Sequence, residues 1–197
     1  MKKILISGNK NKGIAKELFA LYPDATFCSR ETGYDLVTKE GRERFANEAL
    51  NYNIIILNSA LWQFQQTVLL DTVYRALVSA EKIAHIVCIG STTDRVKNGK
   101  AWLYNAEKKA LRDYSNTLSI SGVWSNTPKV SYISFGTLSN NQDKHPERKC
   151  LDINEAAFYI KWLIEQPEYV NINEISIDPM QDSVWQKKYF KDDSKYM

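Results

Sequence analysis

The sequence predicts an α/β fold, in which a doubly wound parallel sheet carries helices on both of its faces. Short apolar runs alternate with segments of helical periodicity along the chain, and this alternation is typical of parallel sheets built from βαβ units. A length of 197 residues suits one domain with a sizeable core. Hydrophobic residues make up 44% of the chain, which lies within the range of globular proteins.

The elements can be placed in order along the chain. Strands are predicted near 3–7, 25–29, 53–58, 84–90, 129–135 and 173–178. Helices are predicted near 13–22, 39–50, 65–80, 101–121 and 152–166, the last of which begins with acidic residues typical of a helix start. Residues 1–197 therefore form a single predicted domain with a short C-terminal tail from about 180. The polar stretch 140–149 is expected to be a mobile loop near the functional site.

A glycine turn joins the first predicted strand to the first predicted helix. Ser7 and Gly8 begin the turn, and Gly13 opens the helix that carries Ile14. At such a turn, free backbone N–H groups and the helix dipole face an anion, so the segment is a candidate phosphate site. The same turn also occurs in α/β proteins that bind no nucleotide.

Three polar side chains in the second half of the chain are candidates for acid–base chemistry. Ser91 follows the strand predicted at 84–90, and Tyr104 stands thirteen residues later. Tyr104 and Lys108 are four residues apart in a helical segment, so both lie on one helix face. A phenol has an ordinary pKa of about 10, and the neighbouring ammonium is expected to lower the pKa of Tyr104 toward neutrality. Ser91 could then hold a carbonyl oxygen in line with the tyrosine proton.

These segments, in this order, resemble the short-chain dehydrogenase/reductase family, and the resemblance covers most of the chain. Ser91, Tyr104 and Lys108 match the spacing of that family's catalytic serine and Y-x3-K motif. The other landmarks also follow in the family's order: Ser7-Gly8 to Ala15 resembles its cofactor loop, Asn58-Ser59-Ala60 its N-N-A-G motif, Phe135-Gly136 its P-G turn, and Asn173 to Ile177 its last strand.

The resemblance implies a single Rossmann-like, NAD(P)-binding domain of three α/β/α layers. It implies that Tyr104 is the general acid/base, that Lys108 lowers its pKa and holds the nicotinamide ribose, and that Ser91 orients the substrate oxygen. The residues that it implies for cofactor binding are Ser7, Gly8, Lys12, Gly13, Ile14, Ser29, Arg30, Asp35, Leu36, Asn58, Ser59, Ala60, Tyr104, Lys108, Phe135, Gly136 and Thr137.

The preferred cofactor is expected to be NADP(H), with NAD(H) as the alternative. A carboxylate at the end of the second strand would bind the ribose 2′-hydroxyl, but here Ser29-Arg30 ends that strand and the first carboxylate is Glu31. A guanidinium pairs well with phosphate, and Lys12 supplies a second cation in the first loop. Arg30 and Lys12 could instead be plain surface charges.

The chain departs from the family pattern at several points. The first loop has one extra residue, and Ala15 replaces its third glycine. Leu61 replaces the glycine of the second motif, and Phe135 replaces the proline of the P-G turn. No asparagine stands near Thr67, where the family's proton relay has one. The relay is therefore expected to be altered or absent.

The resemblance implies an NADP(H)-dependent oxidoreductase that reduces a small-molecule carbonyl or oxidises the matching alcohol. One alternative is an NADP(H)-binding sensor or regulatory protein that performs no catalysis. Another is an epimerase or dehydratase of a nucleotide sugar, because related enzymes reuse the same tyrosine and lysine. An α/β domain that binds no nucleotide is a third.

Composition argues against other classes of partner. The net charge is only +3 and the charges are scattered, so neither a nucleic acid nor a membrane surface is predicted. No run approaches the ~20 apolar residues that span a bilayer. Cys28, Cys88 and Cys150 lie far apart, which indicates reduced thiols in a cytoplasmic protein. His145 has no histidine partner, and no metal site is predicted.

Two further expectations concern large apolar side chains. Trp62 and Trp102 lie near the proposed pocket and are expected to shape it, whereas Trp162 is expected in the core. A homodimer or homotetramer could pair through helices 65–80 and 101–121. Their apolar residues could supply that face or equally the inner face of the same helices: Leu69, Leu70, Val73, Leu77, Leu111 and Leu118.

Overall fold

Strands and helices alternate along the computed structural model, which describes residues 2–95, 102–125 and 127–181. The strands are β1 (Ile4–Ser7), β2 (Thr26–Cys28), β3 (Ile54–Leu57), β4 (His85–Ser91), β5 (Lys129–Phe135) and β6 (Glu174–Ile177). The α-helices are α1 (Gly13–Leu21), α2 (Lys39–Ala49), α3 (Gln65–Ser79), α4 (Leu103–Trp124) and α5 (Ile153–Ile164). The predicted tail lies outside the described residues after Gln181, as does Ala101 at the start of the helix predicted at 101–121.

The six strands form one parallel sheet in the order β2-β1-β3-β4-β5-β6. β2 pairs with one side of β1, and β3 pairs with its other side. The later strands are then added one after another beyond β3. This reversal makes the fold doubly wound, as predicted. Ligands of such sheets bind beyond the carboxyl ends of the strands, at the point where the order reverses. Here that point lies between β1 and β3.

The strands are almost wholly apolar because the sheet is buried on both faces. Successive side chains of a strand point to opposite faces, so Ile55 packs on one side and Ile56 on the other. The first face is covered by α2, α3 and α4, with Phe45 fully buried among them. The second is covered by α1 and α5, through residues such as Leu18. Each isoleucine fully buried in this way stabilises the fold by roughly 2 kcal/mol, which explains the predicted three-layer arrangement.

The structure selects one of the two readings left open for the apolar faces of α3 and α4, and it corrects the placement of Trp162. The six side chains considered for a subunit interface on α3 and α4 are all buried in the core of this chain, so they form the inner face of their helices. Trp162 was expected in the core but is 44% exposed on α5. Helix α5 presents Ala156, Ile160 and Leu163 to the sheet, and Trp162 falls beside that stripe.

Two other features concern membrane spans and disulfides. No helix in the described part of the chain is both long and apolar enough to cross a membrane. The three cysteines form no disulfide; Cys28 and Cys88 are buried, and Cys150 is partly exposed.

Candidate active site

A cavity of about 840 Å³ opens at the carboxyl ends of the central strands. It lies at the reversal between β1 and β3 and extends from the glycine turn to the start of α4. Most residues predicted for a site line it: Gly8, Lys12, Gly13, Ile14, Ser29, Arg30, Asp35, Leu36, Asn58, Ser59, Ala60, Tyr104 and Lys108. Segments more than ninety residues apart in sequence therefore meet at one site.

The glycine turn shapes one side of the cavity. Gly8 has a φ of 142°, and a Cβ added there would lie 2.8 Å from Asn58 Nδ2, so only glycine fits. Asn9 stabilises the turn by accepting the Asn11 backbone N–H at 2.9 Å. Helix α1 then begins at Gly13, and the side chain of Lys12 makes no capping hydrogen bond. The first N–H groups of α1 therefore remain available to an anion in the cavity.

The segment after β3 is fastened to β1. Ser7 is fully buried, and its Oγ accepts the backbone N–H of Ser59 at 3.0 Å. Asn58 and Ala60 on either side of that bond line the cavity. Ser7 was predicted to bind the cofactor, but it does not line the cavity. Its hydroxyl is used to hold the second motif against the first.

The end of the cavity beside β2 carries charges of both signs. Arg30 is largely exposed, and its Nε lies 3.9 Å from Asp35 Oδ1, which is a loose ion pair in solvent. Glu31 accepts a hydrogen bond of 2.6 Å from Asn9 Nδ2, so its carboxylate is turned toward the glycine turn. Lys12 lines the same end. Two cations and two carboxylates thus border this region. Within the ion pair, Arg30 is more exposed than Asp35.

The three candidate acid–base residues converge at the other end. Tyr104 and Lys108 lie on one face of α4, as predicted, and both line the cavity beside Ile89 and Gly90. Ser91 ends β4 and is itself not among the residues that line the cavity. A hydrogen bond from Ser91 acts on the Tyr104 hydroxyl and partly lowers its pKa.

The ammonium of Lys108 is held by a residue that the sequence did not indicate. Lys108 Nζ donates to Gln66 Oε1 at 2.6 Å, and Gln66 Nε2 donates to the backbone oxygen of Ile89 at 2.7 Å. Both side chains are 4% exposed. The amide of Gln66 therefore bridges β4 to the lysine. It stands next to Thr67, near which the pattern of the resembled family has an asparagine.

The pKa values differ from the expectation for an isolated tyrosine–lysine pair. Burial raises the pKa of Tyr104 above 10; Ser91 opposes this shift and the charge of Glu107 adds to it. Burial also lowers the pKa of Lys108 from 10.5 to about 8, against the charge of Glu107. The Lys108 ammonium lies over the Tyr104 ring, 5.3 Å from its centroid. The pKa of Tyr104 is therefore raised on balance and not lowered as expected, because desolvation outweighs the opposing influences.

Glu107 is a buried carboxylate beside this pair. It is 5% exposed, and its Oε1 accepts the backbone N–H of Gln63 at 2.8 Å. Its Oε2 is buried with no hydrogen-bond partner among the described residues. Gln63 and Phe64 have φ values of 56° and 60°, which are unusual for side chains of this size. Glu107 thus anchors a strained turn that leads into α3.

Ser91 is braced from below by a buried tyrosine. Tyr132 on β5 donates a hydrogen bond of 2.8 Å to Asp94 Oδ2, and the backbone of Ser91 bonds to the same hydroxyl. Asp94 is fully buried and faces Arg95 and Arg112 at 3.6 and 3.9 Å. Burial raises the pKa of Asp94, although Tyr132 and the two arginines oppose this shift.

A glycine makes room for that brace. A Cβ on Gly90 would lie 1.9 Å from the Tyr132 hydroxyl, so the ring can reach Ser91 only because residue 90 has no side chain.

The turn after β5 contributes residues other than those predicted. Phe135 is 3% exposed in the core. Gly136 pairs with Ile177, and a Cβ there would lie 2.5 Å from Asp178 Oδ1. The backbone of Thr137 bonds to Leu151. These three predicted residues do not line the cavity. Gly136 contacts the segment after β6, Thr137 bonds within the β5–α5 connection, and Phe135 lies in the core. The cavity is lined instead by Leu138, Asn140 and Asn141, where the predicted polar loop begins.

His85 lies far from the candidate acid–base residues. His85 is at the start of β4, at the opposite end of the strand, where Nε2 is 2.9 Å from Ser131 Oγ. Burial and two lysines lower the pKa of His85 to about 3, so the ring stays neutral. Across the described ranges, no group of three histidine, cysteine or acidic residues could hold a metal ion.

Comparison with known proteins identifies the fold. No family model matches the sequence, and no curated protein matches it. Solved structures do match. A short-chain dehydrogenase from Burkholderia cenocepacia J2315 in complex with NADP has a TM-score of 0.73 and 15% identity, over 99% of this chain and 96% of that chain. Serine dehydrogenase from Escherichia coli has a TM-score of 0.67 and 16% identity, over 92% of this chain and 98% of that chain.

A third structure, ElxO with NADP bound, has a TM-score of 0.69 and 16% identity, over 90% of this chain and 98% of that chain. These similarities extend over nearly the whole chain. The protein therefore has the Rossmann-like fold of the short-chain dehydrogenases and reductases, in a form with β2 at one edge of the sheet.

Proposed function

We propose that this protein is an NADP(H)-dependent oxidoreductase that reduces a carbonyl compound or oxidises the matching alcohol. The observation that carries the proposal is that Tyr104, which bonds to Ser91, and Lys108 line one end of a cavity that begins at a glycine turn. A cavity of about 840 Å³ that joins these two ends has room for a dinucleotide, whereas a smaller ligand would use only one end. The family resemblance of the sequence and the fold agree with this reading.

The cofactor site fits a dinucleotide phosphate. The uncapped N-terminus of α1 and the open space at Gly13, where an added Cβ would meet nothing within 4 Å, leave room for a pyrophosphate. Arg30 and Lys12 are suited to a 2′-phosphate, because a guanidinium binds phosphate in a forked geometry. Two of the similar structures contain NADP, which supports NADP(H) over NAD(H) for this chain.

The proton chemistry fits reduction at neutral pH. The residues around Gly8, Gly13 and Lys108 would hold a reduced nicotinamide dinucleotide, which when bound would be the source of hydride for a carbonyl carbon. The raised pKa of Tyr104 keeps its phenol protonated, so it can give that proton to the carbonyl oxygen. The charged form of Lys108, beside the ring, stabilises the phenolate that remains. Ser91 holds the carbonyl oxygen, and the Tyr132 brace fixes its position.

The first test is calorimetric titration with NADPH and NADH at one moderate salt concentration, followed by a screen of carbonyl substrates. Tighter binding of NADPH and turnover that falls by about 10²- to 10⁴-fold in Tyr104→Phe would support the proposal. Full turnover in Tyr104→Phe would overturn the mechanism. NADPH binding with no turnover would favour a sensor. Failure to bind either dinucleotide would remove the proposed function altogether.

A further inference from the structure

The ring of Tyr104 packs against two indoles. Its centroid is 5.1 Å from that of Trp62 and 5.2 Å from that of Trp102, at interplanar angles of 46° and 37°. Trp62 is 61% exposed and Trp102 is 52% exposed. Single exposed apolar side chains are common, but two flat aromatic surfaces beside a candidate catalytic hydroxyl mark a ligand-binding surface. We call Trp62 and Trp102 the aromatic rim.

The position of Trp62 is held by unfavourable local structure. The two residues that follow it, Gln63 and Phe64, both have a positive φ. Their turn is fastened by Glu107, a carboxylate that is buried with one oxygen unpartnered. Strain of this kind persists only where the surrounding structure enforces it, and it concentrates at functional sites. The fold therefore holds Trp62 against Tyr104 at an energetic cost.

The charges around the rim favour an uncharged ligand. Three cations around Ser91 and Asp94 each already have an acceptor. Lys108 donates to Gln66. Arg95 faces Asp94 and Glu174, and Arg112 faces Asp94 and Asp113. None of these three described cations is free to bind a carboxylate or phosphate of the substrate.

We propose that the substrate is a small, uncharged aryl aldehyde or ketone, or the matching aryl alcohol. Its ring stacks on the indoles of the aromatic rim while its oxygen reaches the Tyr104 hydroxyl. Stacked aromatic pairs gain affinity beyond the burial of their area, so the rim distinguishes a flat ring from a saturated ring of the same size. This proposal rests on the proposed function, because it names the substrate class of that site.

The test compares benzaldehyde with cyclohexanecarboxaldehyde, which have the same number of carbons, using NADPH as the reductant. The ratio of their kcat/KM values is measured in the native protein and in the variants, so the differing reactivity of the two carbonyls cancels. Trp62→Leu is expected to lower the ratio by about three- to tenfold, because leucine keeps apolar contact but loses the flat ring. Trp62→Phe should retain most of the ratio.

Trp124→Leu is the matched control, because Trp124 is 85% exposed at the far end of α4. It should leave both kcat/KM values unchanged. The proposal would be overturned if the ratio of kcat/KM values were unchanged in Trp62→Leu. It would also be overturned if the native protein preferred the cyclohexyl aldehyde and the variant kept that preference. A change of oligomeric state in Trp62→Leu, measured by analytical ultracentrifugation, would also overturn it, since the rim would then cover a second copy of the chain.

Binding separates this proposal from the proposed function. If NADPH binds but neither aldehyde is reduced, benzyl alcohol and cyclohexylmethanol are titrated into the NADPH complex, with tryptophan fluorescence as the readout. If NADPH does not bind, the proposed function fails first, and the same two alcohols are titrated into the free protein. Preference for benzyl alcohol that is lost in Trp62→Leu supports the aryl class, and equal binding refutes it.

Discussion

Replacement of Gln66 by leucine should lower the free energy of unfolding by about 2–4 kcal/mol at neutral pH. The substitution removes the 2.6 Å bond to the Lys108 ammonium and the 2.7 Å bond to the Ile89 oxygen. A hydrogen bond to a charged group contributes roughly 1.5–3 kcal/mol, and one between neutral groups roughly 1 kcal/mol. The added apolar surface of leucine offsets only part of this loss.

The loss should depend on pH because the lysine is buried. The fall of the Lys108 pKa from 10.5 to about 8 corresponds to roughly 3 kcal/mol against the charged form in the native state. Between these two pKa values the unfolded chain holds the proton and the native protein does not, so stability from this group rises with pH. Without Gln66 the native pKa falls further, and the deficit of the variant should be larger at neutral than at alkaline pH.

Urea unfolding near pH 7 and near pH 9.5 measures both effects. With an m-value of about 2 kcal/mol/M, the midpoint of Gln66→Leu should fall by about 1–2 M near pH 7 and by less near pH 9.5. Gln166→Leu is the control, because it removes one bond of 2.8 Å at the end of α5. Equal losses at both pH values, or no loss near pH 7, would refute the role assigned to Gln66.

Three other outcomes are expected. Carbonyl reduction should slow as the pH rises through about 8, where Lys108 loses the charge that stabilises the Tyr104 phenolate; a flat pH–rate profile there would contradict this. Gly90→Ala should lower the free energy of unfolding by about 2 kcal/mol or more, because the new Cβ would lie 1.9 Å from the Tyr132 hydroxyl; an unchanged thermal midpoint would show that the ring moves aside freely. Arg30→Ala should weaken NADPH binding about tenfold or more in calorimetry and leave NADH binding unaltered.

The elements of the fold could be predicted because each has a local cause. The strand predicted at 53–58 is Ile54–Leu57 in the structure, since a run of four apolar residues between asparagines has few alternatives. The helix predicted at 65–80 is Gln65–Ser79. The pairing of Tyr104 with Lys108 was also local, because residues four apart in a helix share a face.

The residues that the sequence did not reveal act across long distances in the chain. Gln66 is 42 residues from the lysine that it holds, and a glutamine in the first turn of a helix is also an ordinary surface residue. Glu107 is a charged residue in a helical segment, and only packing shows that it is buried. Tyr132 lies in an apolar strand, and its contact with Ser91 requires the register of β4 against β5. The sequence does contain one related signal: Gly90, directly before Ser91, leaves the space that the Tyr132 hydroxyl occupies.

Both edges of the sheet are formed by short strands. β2 has three residues and β6 has four, whereas β4 and β5 have seven each and are paired on both sides. A strand at an edge exposes backbone groups to which a foreign strand can add. Short edges offer few such groups, so the arrangement protects the apolar centre from misassembly into larger sheets.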